Sequence, residues 1–243
     1  MKTTRRGYQE DDNKFFSLDK INVLKKAQED VQYLLDRGYK IKPIIELVGG
    51  HHQLSLRQRM ALQRSTATNL QYEKRSSKEL SINEIKNGCL HVDGFNLIIT
   101  LEVALSKSLL ILGSDGVLRD LAGLRGTYFI IDKTDIALNL ICQTLKKCYV
   151  TEVKFYLDAP VSNSGKLKLK IIEHLQKLNI PFEVLIVKNP DVILSKLERV
   201  VTGDSVILDE CKSWFNLSKK IVDDYIKDAW IINFNNTIDI DVT

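Results

Sequence analysis

Short apolar runs alternate with stretches of helical periodicity throughout the sequence from residue 89 onwards. The apolar runs are rich in Val, Ile and Phe, as buried parallel strands are, and lie at 89–93, 152–157, 182–187, 199–203 and 229–234. Helices are predicted between them, at about 97–107, 116–124, 134–147, 165–179, 190–197 and 205–227. This alternation predicts an α/β fold in which helices cover both faces of a parallel sheet.

The first 86 residues have a different pattern, which predicts a small all-helical module. Its three predicted helices run from an N-cap at Ser17 to a stop at Arg37-Gly38, from Lys42 to a stop at Gly49-Gly50, and from Ser55 to about residue 71. Residues 73–86 are rich in Lys, Arg, Ser and Glu and are predicted to be a linker. The predicted domains are therefore 1–86 and 87–243.

Positive charge is concentrated in the first part of the sequence. Residues 1–86 hold 17 Lys/Arg and 11 Asp/Glu, whereas residues 87–243 hold 18 and 20. No acid occurs between Leu47 and Tyr72, and Arg57 and Arg64 lie close together around the third predicted helix. This pattern predicts that Arg57 and Arg64 bind a polyanion such as RNA, although a role in solubility alone would also account for the modest imbalance.

The sequence contains no segment typical of membrane insertion or secretion. No apolar run approaches the roughly 20 residues that span a bilayer, and the N-terminus lacks the apolar core of a signal peptide. The four cysteines lack the spacing of zinc sites and are predicted to be reduced thiols. We therefore expect a cytoplasmic protein without a membrane partner; the sequence leaves open whether the chain forms a homodimer.

Four acidic residues lie at the ends of predicted strands or in the turns just after them, namely Asp93, Asp158, Asp191 and Asp204. Ligands of open parallel sheets bind in the crevice at the carboxyl ends of the strands, so these side chains are expected to meet there. Carboxylates that lie close together repel unless a cation or a proton separates them, and Mg²⁺ prefers oxygen ligands. The sequence therefore predicts a site for Mg²⁺ or Mn²⁺, whereas the alternative is that each Asp caps a helix.

Polar residues near these acids are further candidates. Asn96 could orient Asp93, bind substrate or cap a helix, and Thr202 could hydrogen-bond a carboxylate. Asp209 lies five residues beyond Asp204, about 140° around a helix, and is a secondary candidate for the same ion. The helix predicted at 165–179 begins with free backbone amides that could hold a phosphate. The substrate-binding residues there would be Ser162, Asn163, Ser164 and Lys166. The alternative is a capped loop without a ligand.

The motifs Val92-Asp-Gly-Phe-Asn96, Asn189-Pro-Asp191 and Val200-Val-Thr-Gly-Asp-Ser205 resemble the signature of the PIN-like nucleases, in particular the NYN branch. This resemblance covers about 89–234 and implies a Rossmann-like sheet that cuts RNA with magnesium or manganese. It also implies metal-binding roles for Asp93, Asp191 and Asp204, with Asn96 assisting at the first. The family often has another acid two or four residues after its last Asp, where this sequence has Val206 and Leu208, so the last ligand is left open.

The whole chain also resembles the prokaryotic family domain of unknown function 434. This resemblance rests on Leu34-Leu-Asp-Arg-Gly-Tyr39, on the segment from Leu47 to Arg59, and on the segment from Phe155 to Gly165. It implies no activity. The sequence thus predicts a metal-dependent ribonuclease, with a non-catalytic RNA-binding protein and a small-molecule phosphatase as alternatives.

Overall fold

The computed structural model describes residues 4–86, 88–124 and 126–234. Its α-helices are α1 (Asp12–Phe15), α2 (Leu18–Leu35), α3 (Ile41–His51), α4 (Leu56–Ser65), α5 (Asn69–Ser76), α6 (Ile82–Ile85), α7 (Gly94–Leu105), α8 (Asp132–Lys147), α9 (Ser164–Leu175), α10 (Pro190–Leu194), α11 (Ser205–Glu210) and α12 (Leu217–Tyr225). Its strands are β1 (Cys89–Asp93), β2 (Leu110–Leu112), β3 (Leu118–Asp120), β4 (Glu152–Asp158), β5 (Phe182–Val187), β6 (Val200–Val201) and β7 (Ile231–Asn233), and a 3-10 turn spans Gln176–Leu178.

The larger sheet is parallel and has the strand order β5-β4-β1-β6. The chain adds β4 and then β5 on one side of β1 and returns to place β6 on the other side. The strand order therefore reverses between β1 and β6, and a reversal of this kind opens a crevice at the carboxyl ends of the two strands.

Helices cover both faces of this sheet. Val153, Phe155 and Leu157 of β4 belong to a core shared with α7, α8, α9 and α12, whereas Tyr156 belongs to a second core shared with α10 and α11. Successive side chains of a strand point to opposite faces, which explains how one strand supplies both cores. The predicted α/β class, with its parallel sheet and N-terminal helical region, is confirmed.

A second, smaller sheet joins the α/β part to the N-terminal helices. It has the order β3-β2-β7, with β2 antiparallel to β3 and parallel to β7. Ile111 and Ile232 of this sheet pack with Leu24 and Val31 of α2 in one apolar core. The prediction of a helix at 116–124 is wrong, because residues 118–120 form a strand that a turn at Ser114–Gly116 folds back onto β2.

Three predicted helices have different bounds in the structure. Gly49 and Gly50 lie inside α3 and do not end it, and a Cβ on Gly49 would stand 2.6 Å from Arg59 Nε. The third predicted helix is divided into α4 and α5, each with its own capping box. The stretch 205–227 is likewise divided into α11 and α12, because Asn216 caps a new helix. The predicted linker, residues 73–86, contains the end of α5 and all of α6, and Leu80 N donates a hydrogen bond to Trp214 O at 2.7 Å.

Candidate active site

The predicted acids line one cleft at the carboxyl end of the larger sheet. The cleft has a volume of about 820 Å³, and its walls include Asp93, Asp158, Asp191 and Asp204. Each of these residues ends or follows a different strand, namely β1, β4, β5 and β6 respectively. The structure thus brings together four acids that are remote in sequence, at the point where the strand order reverses.

Asp93 is the most buried of the four, with 7% of its surface exposed. It ends β1 and caps α7, where it accepts a 3.4 Å hydrogen bond from Asn96 N, and it also accepts a 2.8 Å hydrogen bond from Thr202 Oγ1. Burial raises the pKa of Asp93, the hydrogen bonds from Thr202 and Asn96 lower it, and the charges of Asp204 and Asp158 raise it, with a net value of about 7. Asp93 therefore lies where a bound cation would favour its ionised form.

Asp204 lies directly across the reversal point from Asp93. Its Oδ1 accepts hydrogen bonds from Val206 N at 2.8 Å and Ile207 N at 3.2 Å, so it caps α11. Its own backbone N–H donates to Thr202 Oγ1 at 3.1 Å. The Thr202 hydroxyl therefore connects Asp93 to the backbone of Asp204. Both acids cap helices, as the alternative interpretation predicted, and both also line the cleft.

Asp158 and Asp191 complete the acidic wall of the cleft. Burial raises the pKa of both carboxyls, and the charge of Asp191 raises that of Asp158, while the charge of Asp204 raises that of Asp191. Neither of these two carboxylates, nor that of Asp93 or Asp204, forms an ion pair with a Lys, Arg or His in the described part of the chain.

Asp115 is a useful comparison because it is as buried as Asp93, with 7% of its surface exposed, but has cationic partners. Its carboxylate lies 2.6 Å from Arg75 Nη1 and 2.6 Å from Arg119 Nη2. Burial by itself would raise the pKa of Asp115, but the hydrogen bonds and charges of Arg119 and Arg75 lower it below the ordinary value. The four cleft acids lack such partners, which is the arrangement expected of carboxylates that bind a cation from solution.

The cleft presents carboxylate oxygens, which are the kind of ligand that Mg²⁺ prefers. Within the described ranges, no group of three or more Asp, Glu, His or Cys side chains is arranged to hold a metal ion directly. Mg²⁺ is commonly bound through one or two carboxylates and keeps several water ligands, so Asp93 and Asp204, with Asp158 and Asp191 beyond them, are suitable residues.

Asn96 and two glycines fix the backbone around the acids. Asn96 Oδ1 accepts a 2.6 Å hydrogen bond from Gly203 N, which ties the first turn of α7 to the loop before Asp204. A Cβ on Gly203 would stand 3.0 Å from Leu118 O, and a Cβ on Gly94 would stand 2.6 Å from Leu157 Cδ2. Residues 94 and 203 are therefore glycines because neighbouring atoms leave no room for a side chain.

The two arginines predicted to bind RNA have different environments. Arg64 lines the cleft, and 38% of its side chain is exposed. Arg57 is only 5% exposed, and its guanidinium donates to Asp12 Oδ1 at 2.9 Å, to Asp12 Oδ2 at 2.8 Å and to Gly7 O at 2.9 Å. The predicted role of Arg57 in substrate binding is therefore corrected: this side chain joins the N-terminal segment to α4.

The predicted phosphate loop also lies apart from the cleft. Ser162 Oγ accepts a hydrogen bond from Tyr128 N and donates one to Tyr128 O, and Asn163 Nδ2 donates to the same carbonyl at 2.6 Å. Ser164 begins α9, and neither it nor the exposed Lys166 lines the cleft. The polar side chains of Ser162 and Asn163 hold their loop against residue 128, which supports the alternative of a capped loop.

Asp209 is bound by the helical module and does not face the cleft. It accepts hydrogen bonds from Gln71 Nε2 at 2.8 Å and Arg75 Nε at 2.6 Å. Arg75 and Arg119 both line the cleft, and Arg119 Nε donates to Gly203 O at 3.0 Å. No local sequence pattern indicated Arg75, because its partner Asp115 is 40 residues away along the chain.

Comparison with known proteins places the chain in a family. The family described as "Domain of unknown function (DUF5616)" matches residues 82–220, which is more than half of the chain. The chain belongs to the DUF5616 family. In this DUF5616 protein the match begins at α6 and includes the β1, β4, β5 and β6 strands and all four cleft acids.

The N-terminal helices of the DUF5616 protein match a second family. Residues 23–78 match "Protein of unknown function (DUF434)", which confirms the resemblance to that family in this region. An uncharacterized protein of Methanocaldococcus jannaschii is 36% identical over 185 residues, which cover 76% of this chain and 88% of the relative. No solved structure matches the chain. None of the helices in the described ranges is long and apolar enough to cross a membrane.

Proposed function

We propose that the chain is a metal-dependent ribonuclease whose reaction takes place in the cleft at the carboxyl end of the larger sheet. The observation that carries this proposal is the convergence of Asp93, Asp158, Asp191 and Asp204, without a cationic partner in the described part of the chain, on a cleft that also contains Arg64. A divalent cation would offset the repulsion among these acids and would attract a phosphodiester to them.

Each residue has a role that follows from its contacts. Asp93 and Asp204 would hold Mg²⁺ or Mn²⁺. Thr202 and Asn96 join the loop that follows β6 to the end of β1 and the first turn of α7 through hydrogen bonds. The bound metal would supply an activated water and neutralise charge on the phosphate. Arg64, on the opposite wall, lies 3.8 Å from Asp120 Oδ1 through Nη1, and its side chain, which is 38% exposed, can also pair with a phosphate oxygen.

A cleavage assay with matched variants tests the proposal. End-labelled RNA would be incubated with wild-type protein and Mg²⁺ or Mn²⁺, beside Asp93→Asn, Asp204→Asn and the control Asp223→Asn, whose carboxylate is exposed on α12 and pairs with Lys219. We expect cleavage by the wild type and the control, a loss of about 100-fold or more in the cleft variants, and no cleavage with EDTA. Equal cleavage by wild type and Asp204→Asn would refute the proposal.

A non-catalytic RNA-binding protein is the second candidate. It is favoured by the lack, among the described residues, of a group of three acidic, His or Cys side chains arranged around one ion. Retention of RNA by the wild type without cleavage in any divalent cation would select this candidate. Hydrolysis of p-nitrophenyl phosphate without RNA cleavage would select instead a small-molecule phosphatase.

A further inference from the structure

The cleft has two walls of opposite character. Its acids all come from the α/β part, where Asp120 joins the four strand-end residues. The helical module supplies the other wall and contributes no acid to it; its lining residues there include Tyr39, Gln63 and Arg64. A ligand that fills this cleft would therefore meet metal-binding acids on one side and aromatic, amide and guanidinium groups on the other.

Tyr39 is the aromatic side chain of the helical wall. It lies between α2 and α3, and 62% of its surface is exposed. Its ring stacks on no aromatic or cationic side chain in the described ranges, whereas Tyr33, which is 57% exposed on α2 and does not line the cleft, is covered by Arg37 at 3.3 Å from the ring centroid. Tyr39 thus offers an uncovered ring at the cleft.

Gln63 and Arg64 lie beside each other at the end of α4. Gln63 is exposed, and its amide forms no hydrogen bond with the described residues. Arg64 contacts Asp120 through Nη1 alone, which donates a hydrogen bond to the Asp120 carbonyl and lies 3.8 Å from its Oδ1, so the Nε and Nη2 groups remain available. An amide and a guanidinium are groups that hydrogen-bond the edges of nucleobases and the oxygens of phosphates.

We infer that the helical wall is a binding subsite for an unpaired nucleobase, which stacks on Tyr39 while Gln63 and Arg64 contact its edge or its phosphate. This inference rests on the proposed function and narrows its substrate to single-stranded RNA. A base within a duplex is already stacked on both faces and cannot offer a face to Tyr39, whereas an unpaired base can. The strand would cross the cleft, with one phosphate at the acids and a neighbouring base at the helical wall.

Fluorescence anisotropy measures this binding independently of cleavage. A fluorescein-labelled single-stranded RNA and the duplex of the same sequence would be titrated with full-length protein in Ca²⁺, a cation that also takes oxygen ligands. Removal of one stacking side chain costs about 1–3 kcal/mol per base, so Tyr39→Ala should weaken binding of the single strand by about 5- to 150-fold. Tyr39→Phe keeps the ring and should bind like the wild type.

The control is Tyr33→Ala, which removes an equally exposed tyrosine of the same module outside the cleft. It should leave affinity for the single strand within about twofold of the wild type, and Gln63→Ala should weaken binding as part of the same wall. An unchanged affinity in Tyr39→Ala, an equal loss in Tyr33→Ala, or equally tight binding of the duplex would overturn the inference. RNA binding that depends on Tyr39, without cleavage, would support the base-binding subsite and refute the nuclease. RNA cleavage that Tyr39→Ala does not affect would support the nuclease and refute the subsite.

Discussion

Thr202 donates a 2.8 Å hydrogen bond to Asp93 across the boundary between β6 and β1. The two residues are 109 positions apart in sequence, and both are almost completely buried. The same hydroxyl oxygen accepts the backbone N–H of Asp204 at 3.1 Å. One side chain therefore fixes the distance between the two acids that we assign to the metal.

Replacement of Thr202 by Val should weaken both the fold and the proposed site. Val keeps the shape of Thr but leaves a buried oxygen of Asp93 without its donor, which should lower the free energy of unfolding by about 1–3 kcal/mol. Urea denaturation would measure this change, and titration with Mn²⁺ would show weaker metal binding. Thr202→Ser retains the hydroxyl and should recover most of the metal affinity; equal affinity in the Val variant and the wild type would show that this hydrogen bond does not position Asp93.

The pH dependence of stability should report the buried carboxyl of Asp93. Burial raises the pKa of Asp93 in the folded protein to about 7, whereas the unfolded chain has the ordinary value of 3.8. Between these values the folded state keeps a proton that the unfolded state has lost, so the contribution of Asp93 to stability is complete below about pH 4 and is lost as the pH rises to about 7.

Thermal unfolding at several pH values, with EDTA and with Mg²⁺, measures this contribution. We expect the Tm of the wild type in EDTA to fall between about pH 4 and 7, and Mg²⁺ to offset that fall because it favours the ionised carboxylate. Asp93→Asn cannot ionise and should show a smaller dependence on both pH and Mg²⁺. An identical response in the two proteins would mean that Asp93 is not the group that titrates.

The sequence was sufficient to predict the strand-end acids but not their surroundings. Apolar runs that the sequence pattern identifies as strands precede all four acids, Asp93, Asp158, Asp191 and Asp204. The carboxyl ends of parallel strands lie at the same edge of the sheet, so the four acids were expected to lie together. The sheet of β2, β3 and β7 was mostly missed because β2 and β3 are three residues long, too short to show a period. Each short strand is stabilised by packing against remote residues, which local sequence does not report.

Side-chain environments in the helical module were less predictable than its helices. Arg57 and Arg64 look alike in sequence, yet one is buried against Asp12 and the other faces the cleft. The difference arises from the N-terminal segment, which folds back over α4 and brings Asp12 to Arg57. A charged residue on a helix can therefore be assigned to solvent only when the segments that cover that helix are known.

The ion pairs around Asp115 should hold the helical wall of the cleft to its acidic wall. Arg75 of α5 contacts Asp115 and Asp209 at 2.6 Å each, and its side chain is almost fully buried. Arg75→Met removes one of the two arginines that contact the buried Asp115 and leaves Asp209 without a cationic partner, which should lower the free energy of unfolding by about 1–3 kcal/mol, because Arg119 still pairs with Asp115. The control is Lys74→Met, because Lys74 is exposed and lies 3.7 Å from an exposed Glu210, a pair that should contribute about 0–1 kcal/mol. Urea denaturation of both variants measures the difference, and equal stabilities would show that the buried arginine does not join the two walls.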